Sequence, residues 1–151
     1  MEVKTELFDK ILVAVDGSKQ ALKAIDYATT IADSCKTKEL ALIHVIPDPG
    51  NEFAYAESFF VTTTINALKK AGDKILDEAE KTVAGKKLTA KVTSKQVVGD
   101  PGNEIVKLAK DGKYDLIVIG NKGVGGVTGW VLGSVSTKVV NHATVPVFVI
   151  K

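Results

Sequence analysis

Residues 116–136 read LIVIGNKGVGGVTGWVLGSVS. The opening Leu116–Ile119 is apolar, rich in β-branched residues and closed by a glycine, the pattern of a short strand covered on both faces. Behind it come Gly120, Gly123, Gly125, Gly126, Gly129 and Gly133, six of the chain's 13 glycines. A loop that only turned the chain would need one or two. The closing Ser134-Val135-Ser136 starts a helical pattern that continues through Val139 and Val140. Strand, long glycine loop and helix N-terminus therefore follow one another directly.

The same punctuation recurs along the chain. ILVAVD (11–16) and LALIHVI (40–46) are further continuous apolar runs. LTAKVTSKQVV (88–98) alternates apolar and polar residues, so one face is partly wet, and VPVFVI (145–150) carries Pro146, which cannot donate to a ladder and points to a sheet edge. Helical patterns separate these runs. The first follows Ser18 as N-cap and places Ala21, Ile25, Ala28 and Ala32 on one face. The second spans about Thr63 to Ala84, with Ile65, Leu68, Ile75, Ala79 and Val83 inward and Gly85 as its left-handed stop. The third has Asp100 as N-cap and Pro101 at its first position, turns Ile105, Leu108 and Ala109 inward, and ends at Gly112.

The order β-α-β-α-β-α-β-α-β predicts one α/β domain over residues 1–151: a doubly wound, five-stranded parallel sheet with helices on both faces. The most apolar runs, the first and fourth, belong in the centre, which selects strand order 3-2-1-4-5. Bulk composition agrees. At 45% apolar and 25% charged residues the chain is that of a globular protein, and a net charge of +2 announces neither a nucleic-acid nor a membrane partner. Cys35 is the one cysteine, so no internal disulfide forms, which together with a charged first segment leads to the expectation of a soluble, cytoplasmic protein.

In this strand order the first and fourth strands are neighbours whose connections leave toward opposite faces, and a ligand crevice is expected at their carboxyl ends. The turn after strand 1 is Asp16-Gly17-Ser18; the loop after strand 4 is the glycine-rich one. Glycines permit close backbone approach, and the helix beginning at Ser134 adds free N–H groups and a positive dipole end, with Ser134 and Ser136 as hydroxyl donors. This is equipment for phosphate. It is neither G-x-x-x-x-G-K-[ST] nor G-x-G-x-x-G, which disfavours a P-loop hydrolase and a dinucleotide dehydrogenase. Asp16 has a second reading as a turn cap, and Lys122 one as a solvated loop lysine.

The spacing Gly120-x-x-Gly123, nine residues, then Gly133-Ser134 resembles the ATP-binding signature of the universal stress protein family. The resemblance extends through ILVAVDGS, LIHVI, VVGDPGNEIVKLAK, YDLIVIGNKG and HATVPVFVI, nearly the whole chain. It implies an adenine-nucleotide switch or sensor in stress response. Asp16 would bond the adenine edge and Val45 would touch the base. Gly120 and Gly123 would run along ribose and phosphates, where Lys122, by its place inside the loop, would neutralise phosphate charge. Gly133, Ser134, Val135 and Ser136 would cradle the β- and γ-phosphates, with Mg2+ or Mn2+ held through them. ATP is the expected ligand, with AMP or ADP as alternatives. The family also implies a homodimer through the edge strand Val145–Ile150, an edge that invites pairing on physical grounds as well.

No general base, nucleophilic triad or nearby arginine accompanies this loop, so a binding protein with at most slow ATP hydrolysis is expected. A nucleotide-free dimeric interaction module and a slow ATPase are the alternative readings. His44 and His142 lack companions at metal-ligand spacing and are read as structural, and Cys35 as an inert thiol. Trp130 packs over the loop or joins a lid. Residues 47–64, with Phe53, Tyr55, Phe59 and Phe60, are read as a lid or a surface for protein partners not yet identified.

Overall fold

The computed structural model describes residues 7–48, 58–124 and 131–151. Nine elements alternate: β1 (Lys10–Ala14), α1 (Lys19–Cys35), β2 (Glu39–Pro47), α2 (Ser58–Ala84), β3 (Lys91–Gly99), α3 (Pro101–Asp111), β4 (Leu116–Gly120), α4 (Ser134–His142) and β5 (Val147–Ile150). The strands form one parallel sheet in the order β3-β2-β1-β4-β5, as expected. Alternation along each central strand feeds two cores. Ile11, Val13, Leu40, Leu42, Leu116 and Val118 meet Ala24, Ile25 and Ala28 of α1 and Leu76, Ala79 and Val83 of α2. Leu12, Ala41, Ile43, Ile117 and Ile119 face Ile105 and Ala109 of α3 and Val139 of α4. Every residue of β4 is buried, which is why its run carries no polar alternation.

Ser18 caps α1 as expected, its Oγ accepting from the Ala21 N–H at 3.1 Å. Several other expectations need correction. β1 ends at Ala14 rather than Asp16, and β5 starts after Pro146, whose carbonyl accepts from the Ile117 N–H at 3.0 Å. α2 begins at Ser58, ahead of Thr63. Its inward stripe runs through Gly72, Leu76, Ala79 and Val83, while Leu68 keeps 38% of its surface exposed. There the helix lies over the partly wet β3 edge, with Gln96 Nε2 donating to the Lys69 carbonyl at 3.2 Å. Val140 on α4 also stays exposed. Segment 49–57, with Phe53 and Tyr55, and loop residues 125–130, with Trp130, lie outside the described residues. Among those described, no helix is long and apolar enough to cross a membrane.

After α2 and α3 the left-handed step falls on lysine where glycine was expected, and after α1 it falls on lysine too. Lys36 after α1 (φ 55°), Lys87 after α2 (φ 54°) and Lys113 after α3 (φ 55°) take the left-handed step, whereas Gly85 and Gly112 do not. Gly112 serves packing instead: a Cβ there would come within 2.4 Å of Tyr114 Cε2. An L-residue in this conformation is strained relative to glycine. Replacing Lys36, Lys87 or Lys113 singly by glycine is therefore expected to stabilise the fold by about 0.5–1 kcal/mol, and alanine to give no gain. Urea-unfolding midpoints of the six variants check this.

Candidate functional site

The site begins where the sheet stops pairing. The β1–β2 register runs to Ala14↔Ile43 and the β1–β4 register to Val13↔Val118. Beyond them β1 enters the Asp16-Gly17-Ser18 turn, with Gly17 at φ 83°, and feeds α1 on one face. β4 runs on to Gly120 and feeds the glycine loop toward α4 on the other face. A cavity of about 660 Å³ opens between them, within the range of small-molecule sites. All nine expected site residues border it: Asp16, Val45, Gly120, Lys122, Gly123, Gly133, Ser134, Val135 and Ser136.

Their individual roles differ from a list of contacts. Asp16 is both turn cap and cavity wall. Its Oδ1 accepts from the Ser18 N–H at 2.9 Å, while Oδ2 faces Gly123, where a Cβ would come within 2.7 Å of it. Glycine at 123 thus lets the loop pass directly over the carboxylate. Gly120 answers to a different neighbour: a Cβ there would meet Gln20 Cβ at 2.8 Å, so α1's first turn requires this glycine although its backbone borders the cavity. Gly133 donates its N–H to the Asn121 carbonyl at 2.7 Å and closes the loop at its base. Ser136, expected to offer its hydroxyl outward, is 2% exposed and bonds inward. Its Oγ lies 2.8 Å from the Asn121 carbonyl and 3.0 Å from that of Gly133. The serine ties the loop to α4 and leaves only its backbone N–H for a ligand.

That backbone is the chemically active part. Gly133 is the N-cap of α4 and supplies no side-chain acceptor, and no acidic residue stands in the first turn. The first N–H with an intrahelical partner is that of Thr137, bonded to the Gly133 carbonyl at 2.9 Å. The N–H groups of Ser134, Val135 and Ser136 are the orphan donors of the helix, aligned with its positive dipole end. Together with the half-buried Lys122 they suit an anion. The opposite wall is apolar: Val45 is buried on β2, and Ala14, Val15 and Ile43 extend it. The cavity is therefore amphipathic, with one carboxylate on the apolar side and a donor cluster across from it.

Sequence reading missed the third wall. Pro101 and Ile105 of α3 border the cavity, although GDPGNEI was read only as a helix start. The signal was available, since β3 ends at the same carboxyl edge. Asp100 caps α3, its Oδ1 accepting from the Asn103 N–H at 2.9 Å, and Lys138 of α4 reaches both its oxygens at 2.9 and 3.0 Å. The stem of Lys138 lies over Gly102, where a Cβ would come within 2.6 Å of Lys138 Cδ. The Asn103 N–H first, and Lys138 next, hold the Asp100 carboxyl below its usual 3.8. His142 Nδ1 lies 2.9 Å from the Lys138 carbonyl, His44 Nδ1 lies 2.8 Å from the Val15 carbonyl, and Cys35 packs against the core. Among the described residues no group of three or more His, Cys, Asp or Glu could hold a metal.

Comparison with known proteins adds four findings. The family model described as the universal stress protein family matches residues 7–151. Universal stress protein YxiE of Bacillus subtilis is 35% identical over 96% of this chain and 100% of its own length. The solved structure of MJ0577, a universal stress protein of Methanocaldococcus jannaschii, superposes with TM-score 0.83 at 29% identity, covering 96% of each chain. A universal stress protein solved in complex with cAMP superposes with TM-score 0.67 at 28% identity, covering 96% of this chain and 98% of that one.

The Asp100–Lys138 clamp between α3 and α4 sets a limit at low pH. Because the folded pKa of Asp100 is depressed, its contribution is complete above about pH 4 and is lost as pH falls through and below that value. Asp100→Asn is accordingly expected to lower the melting temperature at pH 6 and to lower it by less at pH 3. Thermal melts at the two pH values measure the difference.

Proposed function

The chain belongs to the universal stress protein family, and from that premise we propose that it binds an adenine nucleotide, with ATP as its resident ligand, and acts as a nucleotide-dependent switch or sensor. The observation that carries this reading is the pairing, in one cavity, of the Asp16 carboxylate with the orphan N–H groups at the start of α4. The relative solved with cAMP supports the adenine nucleotide class. Asp16 Oδ2 would accept from the exocyclic amino group, which guanine replaces by a carbonyl oxygen, and Val45 would lie against the base. Gly120, Lys122 and Gly123 would follow ribose and phosphates to Gly133, Ser134, Val135 and Ser136, where backbone donors take the β- and γ-phosphates. Mg2+ or Mn2+ would enter on the phosphates, as no protein cluster is needed to hold it.

Binding rather than turnover follows from what surrounds the phosphate end. Phosphoryl transfer needs a base or positioned water and concentrated positive charge. The chain contains no arginine, and the Ser136 hydroxyl there is turned to the carbonyls of Asn121 and Gly133. Ligand binding then acts by mass action, stabilising the folded domain.

The proposal extends to a homodimer through Val145–Ile150. β5 pairs with β4 alone among the described residues, and Pro146 and Ile150 turn their carbonyls toward β4. By strand parity, Val147 and Val149 turn theirs, and their N–H groups, to the free edge.

Calorimetric titration of nucleotide-stripped protein with Mg-ATP is expected to show saturable binding, roughly tenfold weaker in Asp16→Ala and absent for GTP. No heat and no thermal shift with ATP, ADP or AMP would overturn the reading. Val149→Pro, which deletes an outward donor while leaving the β4 ladder whole, is expected to convert the dimer to monomer in light scattering. A mass unchanged by the substitution, or a monomeric parent, refutes pairing through this edge.

A further inference from the structure

Two features find no use in the binding scheme: a histidine in the cavity wall, and a glycine in the middle of a long helix. Both concern the same few ångströms. Past Ala14 the β1–β2 ladder ends, although the Val15 N–H still reaches the Ile43 carbonyl at 2.8 Å. The Val15 carbonyl has no strand partner left. His44 supplies one from its side chain, with Nδ1 2.8 Å from that oxygen. A carbonyl only accepts, so Nδ1 carries the hydrogen, which leaves the neutral ring in its Nδ1–H tautomer. The residue after Val15 is Asp16.

The far edge of the ring is held by α2. Gly72 is the fifteenth of the 27 residues of α2, near Lys70, Ala71 and Lys74, and helix propensity alone would favour alanine there. Space explains the glycine. A Cβ on Gly72 would come within 2.6 Å of His44 Cδ2 and within 1.8 Å of Gln96 Oε1. Gln96 cannot swing away freely, because its Nε2 donates to the Lys69 carbonyl at 3.2 Å and to Asp73 Oδ1 at 2.9 Å. Those two acceptors also fix which end of the amide is nitrogen. The ring is thus gripped between α2 and the end of β1.

We infer that His44, seated on Gly72, is a positioning residue for the adenine site, acting through the Val15 carbonyl to hold Asp16 toward the cavity. This rests on reading the cavity as an adenine-nucleotide site. It makes the seat of α2 on the sheet a determinant of affinity, through residues that need not touch the base. His44 is the link because its hydrogen bond replaces a ladder bond at the point where the strands separate.

The test compares His44→Phe, which keeps ring volume and removes the donor, with His44→Asn, whose Nδ2 occupies the place of Nδ1. Hydrogen exchange of the Ser18 amide, which donates to Asp16, reports on the turn without any ligand, and titration with Mg-ATP reports on the site. His44→Phe is expected to speed Ser18 exchange and weaken ATP binding roughly tenfold, with both restored in His44→Asn. Gly72→Ala is expected to weaken ATP binding in the same direction. In the parent protein, 15N spectra are expected to show His44 as the Nδ1–H tautomer, a readout that survives even if His44→Phe fails to fold. An Nε2–H tautomer, parent-like Ser18 exchange in His44→Phe, or an Asn variant as impaired as the Phe variant would overturn the inference. A parent protein that binds no adenine nucleotide would defeat the functional reading, while the exchange and tautomer results would still decide the role of His44.

Discussion

The separation of β1 from both of its neighbours governs the rest of the molecule. Inside the sheet β1 is flanked in register by β2 from Lys10 to Ala14 and by β4 from Ile11 to Val13. Past Ala14 the crossover to α1 leaves by one face, and past Gly120 the chain leaves by the other, so the strands cannot remain in contact. A cavity at that point is a consequence of topology before any side chain is chosen. What the side chains decide is how the stranded polar groups are met, because a buried carbonyl or N–H without a partner is destabilising. His44 meets the Val15 carbonyl, Asp16 meets the Ser18 N–H, and Ser136 meets the carbonyls of Asn121 and Gly133. Each repair uses a side chain that might otherwise have been assigned to a ligand.

The glycines divide along the same line. Gly120 exists for α1, Gly72 for His44 and Gln96, Gly102 for Lys138, and Gly112 for Tyr114. Gly123 brings the loop against a cavity side chain, the Asp16 carboxylate. Gly17 alone among the described glycines needs a positive φ, and it turns the chain immediately after Asp16. Gly120, Gly123 and Gly133 of the glycine-rich stretch are thus separate close approaches, each to a different partner.

Strand order, the parallel sheet and the meeting of Asp16 with the glycine loop were legible because they follow from hydrophobic periodicity and crossover handedness. Those signals are averages over many residues. What could not be read depended on a single direction or distance. The spacing Gly120-x-x-Gly123 does not say which way each missing Cβ would point, and the two point to α1 and to Asp16. Ser136 was a plausible hydroxyl donor until loop closure brought two carbonyls to its Oγ. The inward stripe of α2 could not be phased without knowing that Gly72, an apparent interruption, is its first member. The left-handed lysines show a weak preference being overridden, since glycine's advantage there is only about 1 kcal/mol.

At the N-terminus of α4 the fold supplies no side-chain cap for its backbone donors. A serine, threonine or aspartate at the N-cap would have satisfied a donor, yet the residue there is Gly133, and no carboxylate stands in the first turn. Exchanging that glycine for a capping residue would press a side chain against the Asn121 carbonyl, 3.2 Å from the nearest Cβ position. The same closure therefore crowds a capping side chain, and glycine at 133 leaves the donors of Ser134, Val135 and Ser136 for an external anion. An anion bound there would supply the missing cap, gain the dipole and favour the closed loop in one step. Ligand affinity and the order of the loop's base are then two readings of one free energy, which is the physical requirement for a domain that reports on its ligand.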